Sequence, residues 1–183
     1  MKKKVILTRG IPGSGKSTWV KEQLALHPAG TAVRLNNDDL SQMLYNELWG
    51  NFFSNDTKVL LHHLRLSMLE TFLQQNYITH IYIDNTNLAV QTVKSLQDVA
   101  VKYDAEFLVN DDFLNVPIEE CIERDAQRDN PVGASVIKDM AKQTKRLKPW
   151  VPADVPTIEK YDNDQAEASY AIIVDVDGTL AHL

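Results

Sequence analysis

Short apolar segments alternate with amphipathic segments along the chain. Four apolar runs have the length of buried strands, at residues 3–8, 31–35, 78–83 and 105–109. Apolar residues recur at helical spacing between and after these runs, which predicts helices over residues 16–25, 54–75, 90–102, 117–128 and 134–147, with a further helix from about residue 37. Buried strands separated by helices are typical of an α/β fold with a parallel sheet covered on both faces.

Two of the predicted helices carry more specific expectations. Asn37 stands where a side chain can cap the helix that follows the second strand. The long helix places Leu61, Leu64, Met68 and Phe72 at helical spacing, so we expect this face to be buried.

The chain is expected to contain one complete domain, over residues 1–150. A proline-containing and then strongly polar segment, residues 151–169, has the composition of a linker. Residues 170–183 contain a last strand followed by the sequence Asp-Val-Asp-Gly-Thr.

Composition narrows the class of protein. Of the 183 residues, 44% are hydrophobic and 24% are charged, which is the balance of an ordinary globular domain with one sizeable core. No apolar run is long enough to span a membrane, and the single cysteine, Cys121, is typical of a protein in a reducing cytoplasm. The net charge of −6 argues against a general nucleic-acid coat protein, although it leaves room for a local basic groove.

A glycine-rich loop between the first strand and the first helix matches the GxxxxGK[ST] pattern of a phosphate-binding loop. Its glycines let backbone N–H groups converge on phosphate oxygens, and the helix N-terminus adds positive potential. We expect Lys16 to bridge the β and γ phosphates of ATP and Ser17 to bind Mg²⁺. The predicted nucleotide-binding residues of the loop are Gly10, Ile11, Pro12, Gly13, Ser14, Gly15, Lys16, Ser17 and Thr18.

Asp38, after the second strand, is the predicted general base. Ligands bind beyond the carboxyl ends of parallel strands, so this carboxylate would face the γ-phosphate across the crevice and accept the proton of an attacking hydroxyl. The alternative is that Asp38 or Asp39 only caps the following helix. We expect Asp39 to be structural.

The third strand ends in a second polar turn, which contains Asp84, Thr86 and Asn87. Asp84 is the predicted carboxylate ligand of Mg²⁺, because strand-end carboxylates often hold this ion in P-loop proteins. The alternative is a turn whose Asx side chains bind their own backbone, and Thr86 and Asn87 fit either substrate binding or that turn.

Two arginines on the helix at 117–128 predict a lid. Arg124 and Arg128 lie four residues apart on one face and precede a Pro/Gly-containing break at residues 129–133, so they can close over phosphates. The alternative for Arg124 is an ion pair with Glu120, whereas Arg128 has no acid four residues before it.

The last helix is rich in cations. Lys138, Lys142 and Lys145 share one face of this helix. A solvated surface and a track for the phosphates of a nucleic acid fit this pattern equally well. Under the second interpretation, Lys142 and Lys145 contact the substrate.

Together these motifs resemble the 5′-kinase domain of phage polynucleotide kinase–phosphatases over roughly residues 1–150. The resemblance rests on the opening strand, the phosphate loop with Thr18 and Trp19, the Asn-x-Asp-Asp turn at 36–39, the segment Thr-Asn-Leu at 86–88 and the two lid arginines. The sequence Asp-Val-Asp-Gly-Thr-Leu at 175–180 resembles the first motif of the phosphatase domain that follows the kinase in that family.

The resemblance implies a P-loop kinase fold with a helical lid and an enzyme of nucleic-acid repair. Lys16, Asp38 and Arg128 would be catalytic, with ATP as donor, Mg²⁺ as cofactor, and single-stranded or nicked DNA or RNA with a 5′-hydroxyl as acceptor. Asp175 and Asp177 would be the nucleophile and acid of an incomplete phosphatase domain.

Position 41 departs from the family, which places an arginine three residues after the general base to hold the nearest acceptor phosphate. Here that residue is Ser41. We expect polar contacts near Ser41, together with the lysine-rich helix, to hold the acceptor, and Ser41→Arg to strengthen its binding.

Two other functions remain open from the sequence. A small-molecule or nucleoside kinase would use the same donor site and would suit the absence of an arginine at Ser41. A non-catalytic nucleotide-binding regulatory module would not need Asp38 and Arg128. The preference for RNA or DNA, the base of the nucleotide donor and the oligomeric state are not encoded in these motifs.

Overall fold

The described part of the chain forms a sheet of four parallel strands, as predicted. The structure, a computed structural model, describes residues 2–46 and 54–151. The strands are β1 (Lys4–Thr8), β2 (Ala32–Leu35), β3 (His80–Asp84) and β4 (Glu106–Asn110), in the order β2-β3-β1-β4. Thr8 at the end of β1 is in register with Asp84 and Asn110 at the ends of its two neighbours. The carboxyl ends of these three strands therefore form one level edge.

Six helices connect and cover the strands of the described chain. They are α1 (Lys16–Ala25), α2 (Asn37–Tyr45), α3 (Asn55–Gln74), α4 (Val90–Lys102), α5 (Ile118–Ala126) and α6 (Ala134–Thr144). The predicted bounds of α1 and α4 are confirmed, and those of the other helices shift by a few residues.

The two faces of the sheet are covered by different helices. Val5 and Leu7 of β1 pack in the largest core cluster with residues of α3 and α4, whereas Ile6 packs on the opposite face with Val20 of α1 and Tyr82 of β3. Successive side chains of a strand point to opposite faces, so this alternation is what a sheet covered on both sides requires. The predicted α/β class is confirmed.

The buried face of α3 is one position away from the predicted one. Leu64, Met68 and Phe72 are only half-buried. The fully buried positions recur every four residues: Leu61, Arg65, Leu69 and Leu73. The prediction is confirmed for Leu61, and Met68 and Phe72 pack against the main core cluster while half-buried. It misses the fully buried row because a search for apolar periodicity passes over the buried cation that interrupts this row.

The lid helices pack on the phosphate loop. Cys121 of α5 and Ile137 of α6 form a buried cluster with Ile11 of the loop. Asp125, which is also buried, accepts hydrogen bonds from the backbone N–H groups of Val132 (3.3 Å) and Gly133 (2.9 Å). This carboxylate thus ties the end of α5 to the start of α6.

A buried ion pair connects the phosphate loop to the segment after α6. Arg9 is 1% exposed and lies 3.1 Å from the carboxylate of Asp111. The same guanidinium donates to the carbonyl of Lys148 at 3.4 Å, and Asp111 accepts from the backbone N–H of Trp150 at 2.8 Å. The residues beyond α6 are therefore anchored at the carboxyl edge of the sheet.

The described residues belong to a unit that ends at Pro152. Most of the predicted linker at 151–169, and all of the predicted strand and Asp-x-Asp-Gly-Thr motif at 170–183, lie outside the described residues. Among the helices described, none combines the length and the apolar composition that crossing a bilayer takes.

Candidate active site

The phosphate loop runs from the end of β1 into the first turn of α1. Gly13 and Gly15 have φ angles of 78° and 92°, in the left-handed region that favours glycine. A Cβ atom at Gly13 would also overlap the carbonyl oxygen of Cys121 on α5. Gly15 directly precedes α1, so the backbone N–H groups of this turn form the anion-binding end of the helix.

Lys16 is folded back onto the loop. Its Nζ donates to the carbonyl of Ile11 at 2.7 Å and lies 3.1 Å from Ser14 Oγ. Burial lowers the pKa of Lys16 to about 8, although the carboxylate of Asp84 acts in the opposite direction. Without an anion in the loop, nearby carboxylates therefore do not fully balance the positive charge of this buried ammonium group.

A hydroxyl and a carboxylate meet beside the loop. Ser17 Oγ donates to Asp84 Oδ1 at 3.1 Å, and Asp84 is 1% exposed. Asn36 donates to the backbone carbonyl of Asp84, which fixes the strand end against the start of α2. The described residues contain no group of three or more His, Cys, Asp or Glu side chains suited to a metal. The pair fits Mg²⁺ rather than a metal held by protein ligands alone, because Mg²⁺ typically takes one or two protein ligands plus phosphate oxygens and water.

Arg34 is a site residue that the sequence analysis missed. Its guanidinium binds Asp84 Oδ2 at 2.7 Å and Asp39 Oδ2 at 2.5 Å. Asp39 is therefore structural, as expected. The sequence contains one indication of this role. Arg34 is a single cation within a short apolar strand, two residues before the acidic turn at residues 36–39.

Asp38 lies in the first turn of α2 with its side chain exposed. The capping residue is Asn36, whose Oδ1 accepts from the backbone N–H groups of Asp38 (2.8 Å) and Asp39 (3.1 Å). Asn37 is thus not the cap, because Asn36 already has the extended backbone that a cap requires. Because Asn36 supplies the cap, the carboxylate of Asp38 is not needed for that purpose, and its role as general base stays a prediction.

Charges across the crevice act on one another. Desolvation by the surrounding protein raises the pKa of Asp38, while the charge of Arg128 opposes this rise. Arg128 and Asp84 also act on the pKa of Lys16. Asp38 of α2 and Lys16 of the loop are therefore each within electrostatic reach of Asp84 at the end of β3 and of Arg128 in the lid.

The two lid arginines have different surroundings. Arg124 forms the predicted ion pair with Glu120, yet its Nη1 lies 3.7 Å from where a Cβ of Gly15 would be. Arg128 has a partner that four-residue spacing does not reveal, since its Nη1 is 3.4 Å from Asp125 Oδ1, three residues before it. Both guanidinium groups are about half exposed, which leaves them accessible to a ligand in the crevice.

The turn after β3 supports the phosphate loop. Asn87 is buried with a φ of 46°, and its side chain donates to the carbonyl of Thr8 at 2.9 Å. The carbonyl of Thr86 accepts from the N–H of Gly10 at 3.1 Å. These contacts match the turn interpretation of this segment, and acceptor binding by Thr86 and Asn87 stays a prediction.

The remaining predicted acceptor residues differ in their exposure. Lys142 and Lys145 are exposed on and just after α6, and Lys142 pairs with Asp139 at 2.8 Å. Ser41 has no exposed surface, and its hydroxyl is buried without a partner. An arginine introduced at Ser41 would have to displace the packing around it, so we no longer expect Ser41→Arg to improve acceptor binding.

The lowered pKa of Lys16 predicts pH-dependent nucleotide binding. A bound phosphate restores the favoured charge and raises this pKa, so binding takes up a proton once the pH exceeds about 8. We expect the affinity for ATP to be full below that pH and to fall by up to about tenfold per pH unit above it. Titrations between about pH 7.5 and 9.5 test this, with Lys16→Arg as the control, since arginine stays charged throughout. An equal slope in both proteins would contradict the assignment.

Comparison with known proteins places this site in a family. Residues 5–147 match the family described as AAA domain. A curated relative from Autographa californica nuclear polyhedrosis virus, which bears the name bifunctional polynucleotide kinase/RNA ligase, is 26% identical over an alignment that covers 98% of this chain and 25% of the relative. This chain thus spans about a quarter of that relative's length.

Solved structures share the fold. A chain of the Pnkp1/Rnl/Hen1 RNA repair complex has a TM-score of 0.59 and 24% identity, over 79% of this chain and 44% of that one. A second structure of the Pnkp1/Rnl/Hen1 complex has a TM-score of 0.54 and 25% identity, over 67% of this chain and 39% of that one. The Mycobacterium tuberculosis APS kinase CysC in complex with AMPPNP and APS has a TM-score of 0.51 and 19% identity, over 69% of this chain and 70% of that one.

The matches confirm two predictions made from the motifs, the P-loop kinase fold and the resemblance to polynucleotide kinases. The family match includes the phosphate loop, the turn of Asp38, the end of β3 and the lid. Since it spans most of the sequence, the chain belongs to the AAA-domain family of P-loop proteins.

Proposed function

We propose that this chain is an ATP-dependent polynucleotide kinase that transfers the γ-phosphate of ATP to the 5′-hydroxyl of DNA or RNA. The observation that carries the proposal is the placement of Asp38 and Lys16 within electrostatic reach of the same lid arginine, Arg128. A base for the acceptor and a cation for the donor phosphates then share one crevice.

The donor side is built from the phosphate loop and the end of β3. Backbone N–H groups of the loop residues after Pro12 would cradle the phosphates, and Lys16 would exchange its bond to the Ile11 carbonyl for phosphate oxygens. Ser17 and Asp84, already 3.1 Å apart, would hold Mg²⁺. When bound, Mg²⁺ neutralises charge on the β and γ phosphates.

The acceptor side depends on Asp38. Its carboxylate would orient the 5′-hydroxyl and accept its proton as the new O–P bond forms, while the bond between the γ-phosphorus and the β–γ bridging oxygen breaks and ADP leaves. Phosphoryl transfer has a loose transition state, so positioning by this residue matters more than basicity. Arg128, and Arg124 beside Gly15, would neutralise charge on the transferring group from the lid.

The choice of a polynucleotide acceptor is supported by more than the fold. The APS kinase has the same fold and a different acceptor, so the fold alone does not decide between acceptors. The curated relative is named a polynucleotide kinase/RNA ligase, and two matching structures come from RNA repair complexes. By the same resemblance, residues 1–150 would be the kinase domain, 151–169 a linker and 170–183 the start of a phosphatase domain.

A transfer assay with a panel of acceptors tests the proposal. The protein is incubated with γ-labelled ATP and Mg²⁺, with a 5′-hydroxyl oligonucleotide, the same oligonucleotide bearing a 5′-phosphate, or a free nucleoside. We expect label on the first acceptor only. Label on the nucleoside at an equal rate would favour the small-molecule kinase, and no label on any acceptor would favour the regulatory module.

The basic face of α6 predicts a salt-dependent acceptor affinity. If Lys142, Lys145 and one neighbour neutralise about three phosphates of a single strand, affinity should fall about twentyfold between ~50 and ~200 mM salt. Lys142→Ala/Lys145→Ala should raise the KM for the oligonucleotide and flatten this dependence, while the KM for ATP stays constant. Lys21→Ala/Lys94→Ala, which removes two exposed cations from α1 and α4, is the matched control. Equal salt slopes in the two double variants would make the basic face a solvated surface only.

A further inference from the structure

Arg65 is a buried cation without an anionic partner among the described residues. It lies on α3 and is 4% exposed. Its Nη2 is 3.1 Å from His62 Nδ1, and its Nε is buried with no hydrogen-bond partner. Burial lowers the pKa of Arg65 to about 10, so the guanidinium stays charged at neutral pH. An unpaired buried charge destabilises a fold, which makes this residue a candidate for contact with a ligand.

Arg65 lies in the half of α3 nearer the carboxyl edge of the sheet. The side chain of Lys3, just before β1, donates to the carbonyls of Leu73 and Gln75, so α3 ends at the opposite edge and runs antiparallel to the strands. Arg65 is eight residues before Leu73, or about 12 Å back along the helix axis. The chain from Lys3 to Thr8 spans about 16 Å in the same direction. The Cα atom of Arg65 is therefore about 4 Å short of the end of β1, and its side chain tilts towards the N-terminus of α3, which lies on the side of the carboxyl edge.

Other buried polar atoms without partners lie at this edge. Ser41 Oγ, Asn37 Oδ1 and Asn85 Nδ2 are all buried and make no hydrogen bond. The backbone N–H of Asn37 donates to Asn85 Oδ1 at 2.9 Å, so the first turn of α2 adjoins the turn after β3. Asn37 and Ser41 are one helical turn apart on the same face, and α2 packs against α3. Native interiors rarely leave so many polar groups unsatisfied in one region.

We propose that Arg65 and Ser41 form an anion subsite for the phosphate nearest the acceptor's 5′-hydroxyl. This inference rests on the proposed function. Ser41 lies three residues after Asp38, which places their Cβ atoms about 5–6 Å apart on the helix surface. At Ser41 the resemblance leads one to expect an arginine from α2. Here the unpaired cation is on α3 instead.

The surroundings of Arg65 suit phosphate binding. His62 Nδ1 accepts from the guanidinium, and His62 Nε2 lies 3.5 Å from Ser95 Oγ on α4. Burial lowers the pKa of His62, so its ring stays neutral and accepts the hydrogen bond. This contact holds Nη2 of the guanidinium, whereas Nε makes no hydrogen bond. A guanidinium fixed in this way offers directional donors that match phosphate oxygens.

A stability measurement separates ligand binding from a structural role. Arg65→Met removes the unpaired charge and keeps a long apolar stem, so we expect a melting temperature equal to or above that of the parent. With a non-hydrolysable ATP analogue filling the phosphate loop, a nucleoside 3′-monophosphate should raise the melting temperature of the parent. That rise should be absent in Arg65→Met and preserved in Lys94→Gln, which removes an exposed cation from α4. A marked loss of stability in Arg65→Met, with the ligand-induced rise intact, would overturn the proposal.

A coupling measurement identifies the group that Arg65 contacts. Acceptor KM is compared for an oligonucleotide with a normal first linkage and one with a neutral methylphosphonate there, in the parent and in Arg65→Gln. We expect the neutral linkage to raise KM about tenfold to a hundredfold in the parent and to have little effect in Arg65→Gln. Equal effects in both proteins would show that Arg65 does not contact this phosphate.

The two experiments distinguish failure of the subsite from failure of the proposed function. A protein that transfers phosphate to no 5′-hydroxyl would disprove the proposed function, whereas stabilisation by the 3′-monophosphate through Arg65 does not require transfer. A protein that phosphorylates oligonucleotides with equal sensitivity to the neutral linkage in both variants retains the function and loses the subsite.

Discussion

Replacing Lys16 by methionine is expected to lower the rate of phosphoryl transfer by at least about a hundredfold while the protein stays folded. The ammonium group is buried in the phosphate loop, where the donor phosphates would bind. Its stabilisation of charge on the β and γ phosphates grows in the transition state, so the loss appears in kcat as well as in nucleotide affinity. Single-turnover rates with saturating acceptor measure the effect.

Stability is the control for this variant. Burial already lowers the pKa of Lys16, so methionine should not reduce the free energy of unfolding measured by denaturant titration. Lys21→Met, on an exposed position of the same helix, should retain the parent rate. If the Lys16→Met protein is folded and transfers phosphate at more than about a tenth of the parent rate, Lys16 is not a catalytic residue.

Replacing Asp38 by asparagine is expected to reduce kcat by about a hundredfold to ten-thousandfold and to leave the dissociation constant of ATP unchanged. Asparagine has nearly the same shape, so the loss reports the missing base rather than a cavity. Because the pKa of Asp38 is raised, the parent rate should rise with pH through a value above that of an ordinary aspartate. The rising limb should vanish in Asp38→Asn.

The neighbouring carboxylate provides a matched control. Asp39 is adjacent in the same first turn, but its carboxylate is engaged with Arg34 at an exposed ion pair. Exposed pairs contribute about 1 kcal/mol or less, so Asp39→Asn should lower the rate by less than about fivefold. Similar losses in both variants would mean that the turn needs its combined negative charge, and Asp38 would not be the base.

The features that were predicted best are those that depend on residues close together in the sequence. The glycines of the phosphate loop adopt the backbone conformations that their spacing indicates, and the flanking strand and helix follow from short-range patterns. Asp38 and Asp84 could be selected because parallel strands bring their carboxyl ends to one edge, and Arg128 because it precedes a Pro/Gly-containing break after a helix. For the two carboxylates, knowledge of the fold class was enough.

The features that escaped prediction depend on contacts between distant segments. Arg34 binds Asp84, fifty residues away, and nothing near Arg34 in sequence indicates this pairing. Arg65 occupies a buried position in a row of otherwise apolar residues on α3. A search for apolar residues at helical spacing therefore does not find this row. The burial of Ser41 follows from the packing around α2, which no local propensity encodes. Each case involves a polar residue whose environment is created only when the helices assemble.

The central claim is that this crevice transfers phosphate to a 5′-hydroxyl end, and the position of the transferred label tests it most directly. After reaction with γ-labelled ATP and a 5′-hydroxyl oligonucleotide, the product is digested to mononucleotides and the labelled species is identified. We expect all label on the 5′-phosphate of the terminal nucleotide, with none for Asp38→Asn or for an acceptor whose 5′ end is already phosphorylated. Label elsewhere on the oligonucleotide, on the protein itself or only on free phosphate would contradict the account.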